Sequence, residues 1–203
     1  MKLLASTLLL AVPSLALAGD PKAGAPVPPK ADKPAAPAMQ MPKPSAELAE
    51  LAGSLAGTWK CTGKASMDGT TMVDAKAVMS TRLDLDKWWM QTNFTATMGR
   101  ETYKFTGFTG YNDAEKKFYR YMVDNTGGAE WNTAVSIDHG MAGKWGMSWD
   151  GESRMNMAMA GKNVVKSRHT ESFSKDGLAM SGEMSMDGGK TWVKAYEALC
   201  TKK

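Results

Sequence analysis

From Gly57 to the C-terminus, apolar and polar positions alternate with a period of two. Trp145, Met147 and Trp149 alternate with Lys144, Gly146, Ser148 and Asp150, and Met155, Met157 and Met159 with Arg154, Asn156 and Ala158. Trp131, Thr133, Val135 and Ile137 share one parity, with Glu130, Asn132, Ala134 and Ser136 on the other. Trp88, Met90, Phe94, Ala96 and Met98 form a further apolar face, as do Val73, Ala75, Ala77, Met79, Leu83 and Leu85. Successive side chains of a strand point to opposite faces, so these runs read as half-buried strands. Turn sequences separate them, among them Asp68-Gly69, Asn112-Asp113, Asn125-Thr126-Gly127-Gly128, Asp176-Gly177 and Asp187-Gly188-Gly189. The spacing predicts about ten strands with mostly short connections, an antiparallel up-and-down meander. Closing that meander on itself removes its exposed edges, so a barrel is expected.

Before Gly57 the period is helical. Ser45 is placed to cap a helix after Pro44, Glu47 lies in its first turn, and Leu48, Leu51 and Leu55 share a face. Gly53 and Gly57 are candidate terminators. Further upstream the composition changes. Residues 1–18 read as a secretory signal peptide: Lys2, an apolar run, then Ala16-Leu17-Ala18, with cleavage expected after Ala18. That run is short and interrupted by Pro13, which argues against a spanning helix. Residues 19–44 hold eight of the nine prolines and read as a Pro/Ala/Lys-rich disordered tether. The folded domain is expected over residues 45–203, which contain no proline.

Charge adds little. The formal +4 arises mostly from the leader and tether, and the folded part is nearly neutral. A nucleic-acid footprint needs Lys and Arg clustered on the folded surface, so nucleic acid is not an expected partner. The sequence has no G-x-S-x-G, phosphate-binding Gly loop, C-x-x-C or H-E-x-x-H, and a non-enzymatic protein without a cofactor is expected.

Both cysteines carry information. Cys61 falls in the first strand and Cys200 in the last. Barrel closure makes those strands neighbours, so a disulfide is expected in an exported chain, the alternative being two buried thiols. Methionine is abundant, with 17 residues, 14 of them beyond Ser45. Strand spacing suits an apolar pocket lining; the alternative is a thioether site for Cu(I) at Met155, Met157 and Met159. His169 and Glu171 share a parity with Val165 and Phe173, which places two polar groups inside if the apolar face points inward. Ser185-x-Asp187-x-Gly189-x-Thr191-Trp192 matches the Asp-box of sialidase-type propellers, but propellers need several repeats, and a hairpin staple is the expected role.

Leu55-Ala56-Gly57-Thr58-Trp59, a G-x-W at the junction of helix and first strand, resembles the opening of calycins, the lipocalin and nitrobindin superfamily. More closely, residues 55–61, 83–94, 105–127 and 187–200 resemble the secreted bacterial barrels of domain-of-unknown-function family 1579. The resemblance implies an eight- to ten-stranded barrel whose floor is plugged by Trp59, and it carries over no catalytic residue. The arginine that stacks on this tryptophan in lipocalins has no better counterpart here than Lys202. Nitrobindin-like barrels also raise haem ligation by His169 as an alternative to a hydrogen-bonding role.

The expectation is therefore an all-β, antiparallel, up-and-down calycin-like barrel with one short N-terminal helix. It is exported to the periplasm or beyond, monomeric, not membrane-spanning, and binds a small hydrophobic or amphipathic molecule. The candidate lining residues are Trp88, Met90, Phe94, Tyr103, Phe105, Trp131, Trp145, Trp149, Met157, His169 and Glu171. A filled structural barrel with no ligand is the other alternative.

Overall fold

The computed structural model describes residues 42–66, 69–139, 145–159 and 162–203, without the side chains of 157–159, 162 and 163. The expected leader, most of the tether and the Asp68 turn lie outside the described residues. Helix α1 spans Ala46–Leu55 and is followed by β1 (Gly57–Ala65), β2 (Val73–Asp84), β3 (Trp89–Met98), β4 (Glu101–Asn112) and β5 (Lys117–Asp124). Then come β6 (Ala129–Ala134), β7 (Trp145–Met159), β8 (Lys162–Ser174), β9 (Gly177–Ser185) and β10 (Val193–Lys202). Each strand pairs antiparallel with its sequence neighbours, and β10 returns to pair with β1, closing the barrel. The all-β, up-and-down architecture with one helix is as the periodicity indicates.

The helix closes one end. Leu48 donates its N–H to Ser45 Oγ at 3.1 Å, the N-cap bond that satisfies an otherwise orphaned donor. The helix runs through Gly53 and ends at Leu55 with Ala56 as its C-cap. Leu48, Leu51, Ala52 and Leu55 are buried against Trp59, Met90, Phe118 and Trp149. Burial of a leucine side chain is worth about 1.5–3 kcal/mol, so these three leucines bind a marginal ten-residue helix to the barrel floor. Trp59 is almost fully buried and donates Nε1–H to the Leu55 carbonyl at 2.9 Å. Lys202 does reach this tryptophan, with Nζ 5.5 Å from the ring centroid. Gly57 is required here: its φ is +122°, and a Cβ would stand 2.9 Å from the Lys202 stem.

Cys61 and Cys200 are direct partners across the β1–β10 seam and form a disulfide. The bond ties the first strand to the last. At the opposite end, the β9–β10 hairpin is stapled by Asp187. Its carboxylate accepts the N–H groups of Lys190 and Thr191 and the hydroxyls of Ser185 and Thr191, which together hold its carboxyl below the usual range. This is the hairpin role expected of the Ser185–Trp192 motif.

Three parity assignments are corrected. On β6 the inward positions are Asn132 and Ala134, so Trp131 faces outward, 48% exposed, against Tyr119 and Tyr121. The barrel is polar inside at this level, which inverts the usual reading of an alternating strand. Trp88 is not on a strand. Leu85, Asp86 and Lys87 have φ of +47°, +55° and +69°, and this left-handed turn leaves both Leu85 and Trp88 exposed.

Candidate functional site

The barrel encloses a cavity of about 350 Å³ whose lining reaches down to Leu55 of α1. Its walls come from inward positions of β2, β3, β4 and β9, among them Ala77, Met90, Phe94, Ala96, Phe105 and Met184. Phe94 and Phe105 are register partners on β3 and β4 and stack at 4.8 Å. Tyr103, two residues before Phe105, points the same way and donates its hydroxyl to Asp124 at 3.3 Å. Burial first, then the charges of Asp124 and Glu130, raise the Tyr103 phenol well above its usual range.

On the β5, β6, β8 and β10 side the lining carries a layer of charged and hydrogen-bonding groups. Arg120 on β5 reaches across the barrel to Glu171 on β8 in a two-pronged ion pair, Nη1 to Oε1 at 2.6 Å and Nη2 to Oε2 at 3.1 Å. The guanidinium also lies over the Trp149 ring, 3.9 Å from its centroid. Trp149 donates Nε1–H to Glu171 at 3.2 Å. Burial would raise the Glu171 carboxyl; Arg120, Trp149 and His169 outweigh it and hold it down.

The second half of the layer is a chain. His169 Nε2 is bonded to Glu130 on β6, and Nδ1 to the Tyr196 hydroxyl on β10 at 3.0 Å. Burial favours protonation of Glu130, but the charge and hydrogen bond of His169 prevail and hold its carboxyl at about 2. With Glu130 ionised, Nε2 is the donor, so a neutral His169 accepts the Tyr196 O–H at Nδ1. Burial, Glu171 and Glu130 keep that phenol protonated far above neutral pH. Nearby, Ser167 donates to Asn132 Oδ1 at 3.1 Å.

Six of the sequence candidates meet at this cavity: Met90, Phe94, Tyr103, Phe105, His169 and Glu171. Trp145 and Trp149 do not line it. They lie in the floor, Trp145 stacked on Phe173 at 5.6 Å and Trp149 under Arg120. Trp88 and Trp131 are on the outer surface. Met155 lies on the cavity wall, whereas the side chains of Met157 and Met159 fall outside the described residues, and with them the copper trio as a set. Both imidazole nitrogens of His169 are engaged by protein partners, which leaves neither free for a haem iron. Arg120, Glu130 and Tyr196 also line the cavity and are not among the sequence candidates. Arg120 sits in Phe118-Tyr119-Arg120-Tyr121-Met122, where both parities are apolar or aromatic, and a lone charge there is the signal of a paired interior group.

The depressed carboxyls set an acid limit. A carboxyl held near 2 in the fold against an ordinary 4.5 stabilises the protein above pH 4.5 and loses that contribution as pH falls toward 2. Glu171 acts in the same direction. Thermal melts are expected to be level from neutral pH to about 4.5 and to fall steeply below it. Glu130→Gln should flatten part of that fall, and an identical pH profile in the variant would contradict the pairing.

No curated protein matches the chain. Among solved structures, the crystal structure of Rv2717c from M. tuberculosis is similar, with a TM-score of 0.63 and 12% identity over 79% of this chain and 99% of that one. Likeness at that identity concerns the fold alone. No described helix is long and apolar enough to cross a membrane. The model of the family described as "Protein of unknown function (DUF1579)" matches residues 43–202, the whole span of helix and barrel, and the chain belongs to that family.

Proposed function

We propose that the protein is a non-enzymatic carrier that binds a small amphipathic molecule inside its barrel. The carrying observation is the cavity of about 350 Å³, lined by apolar side chains together with a layer of hydrogen-bonded charged groups. Small-molecule sites share that construction: apolar surface supplies affinity and a few fixed polar groups supply orientation. The charged groups are engaged with each other, Arg120 with Glu171 and Glu130 with His169, as in an orienting layer rather than a free acid or base. Export is part of this reading. It is supported by the leader-like residues 1–18 and by a disulfide of the kind that persists in oxidising compartments.

Native mass spectrometry of the protein isolated from its own host tests both parts. A retained adduct of lipid-like mass supports binding, and a bare chain contradicts it. The same spectrum gives the mass of the chain itself, which begins at Gly19 if the leader is removed.

A further inference from the structure

Arg120 is singular among the described residues. Every other described lysine and arginine is exposed, whereas the Arg120 side chain retains 14% of its accessibility and its partner Glu171 retains 9%. Three of the five guanidinium N–H donors are engaged: both prongs go to Glu171, Nε donates to Thr109 at 3.4 Å, and its face rests on Trp149. The other buried carboxylate, Glu130, engages His169, and a third, Asp124, stands near the mouth where it accepts Tyr103 and the turn amides of Thr126 and Gly128. Among the cavity-lining side chains that are not exposed, three carboxylates thus stand against one guanidinium and one imidazole, while Lys64, Arg154, Glu183 and Glu197 of the lining are exposed.

Resting on the binding reading above, we infer that this cavity excludes anionic head groups and accepts amphiphiles whose head is a non-anionic hydrogen-bonding group, with Glu171 as the residue that sets this specificity. A barrel that captures a carboxylate or phosphate head needs a buried cation with its charge available. Here Glu171 already holds the position that an incoming anion would take. An anionic head would face Glu130 and Glu171 in a medium of low dielectric, where like charges repel strongly. To displace Glu171 it would leave a buried carboxylate without a partner. An uncharged hydroxyl or amide head meets neither obstacle, since carboxylate oxygens and the Tyr196 hydroxyl can accept or donate to it. Glu171→Gln keeps the shape and one acceptor oxygen but removes the charge. The guanidinium then lacks a counterion, and an anionic head can supply it.

The test is displacement of the uncharged apolar fluorophore N-phenyl-1-naphthylamine by three amphiphiles with similar twelve-carbon chains: monododecanoylglycerol, dodecyltrimethylammonium and dodecanoate. For the wild-type chain, monododecanoylglycerol should displace the probe at a concentration at least tenfold lower than dodecanoate. In Glu171→Gln that ratio should shrink at least tenfold. In Arg120→Gln/Glu171→Gln the gain for dodecanoate should vanish again while the glycerol ester still binds. Dodecanoate binding as tightly as the ester to the wild-type chain overturns the inference without help from any variant, and so does a ratio unchanged in a folded Glu171→Gln. Binding of neither the probe nor any of the three amphiphiles overturns the carrier reading itself, together with this inference. Circular dichroism of each variant confirms that the comparison is between folded proteins.

Discussion

Arg120→Met is expected to destabilise the barrel by about 3–5 kcal/mol, the cost of leaving a buried carboxylate without its partner. For a domain of this size that lowers Tm by about 10 °C or more. The loss should come from stranding Glu171, because the pair itself offsets much of its own desolvation. Arg120→Met/Glu171→Gln should therefore recover most of the deficit. The glutamine retains an acceptor for the Trp149 Nε1–H, which would otherwise be orphaned. An exposed ion pair behaves differently and is worth no more than about 1 kcal/mol. A cost of that size for Arg120→Met, or a double variant less stable than the single, would show that the pair is not buried as described.

Loss of the disulfide should have an effect of similar size. Cys61 and Cys200 are buried, and their sequence separation is 139 residues. In the chain-entropy model, cross-linking a loop of that length restricts the unfolded chain by about 5 kcal/mol, and removal of native disulfides typically costs 2–5 kcal/mol. Cys61→Ala/Cys200→Ala should thus melt about 10 °C below the oxidised protein. The barrel itself should remain, since the β1–β10 ladder pairs seven residues without help from sulfur. Melting of the double variant within about 2 °C of the oxidised protein would mean that the seam gains nothing from the bond.

The elements were legible wherever interior and exterior differ in polarity. On β3 and β7 and in α1 the buried face is apolar and the outer face polar, so spacing alone orients them. Barrel closure then followed from the strand count, and the disulfide from closure. The charged layer was harder to see because it reverses the rule. On β6 the interior positions hold Glu130 and Asn132 while Trp131 lies outside, so hydrophobic alternation assigns that strand the wrong way round; on β5 both parities around Arg120 are apolar or aromatic, and alternation gives no direction. Tyr196 was hidden differently. A register shift between Lys194 and Tyr196 breaks the parity of β10, and simple counting cannot follow it. Trp88 reads as a strand residue because no glycine in Leu85-Asp86-Lys87 marks the left-handed turn. For His169 and Glu171 the inward face is marked by Val165 and Phe173 on the same strand, and both side chains line the cavity.

The claim on which the rest depends is that the cavity is occupied by a small molecule. Ala96 is buried on the cavity wall, opposite Ala77 on β2, so Ala96→Phe projects a ring into the space a ligand would fill. Native mass spectra of wild-type and Ala96→Phe protein, isolated side by side from the native host, compare the two directly. A single non-covalent adduct of lipid-like mass is expected on the wild-type chain and is expected to be lost from the variant, with the fold retained. A wild-type chain that carries no adduct, or an adduct equally abundant on both proteins, would contradict occupancy of the cavity.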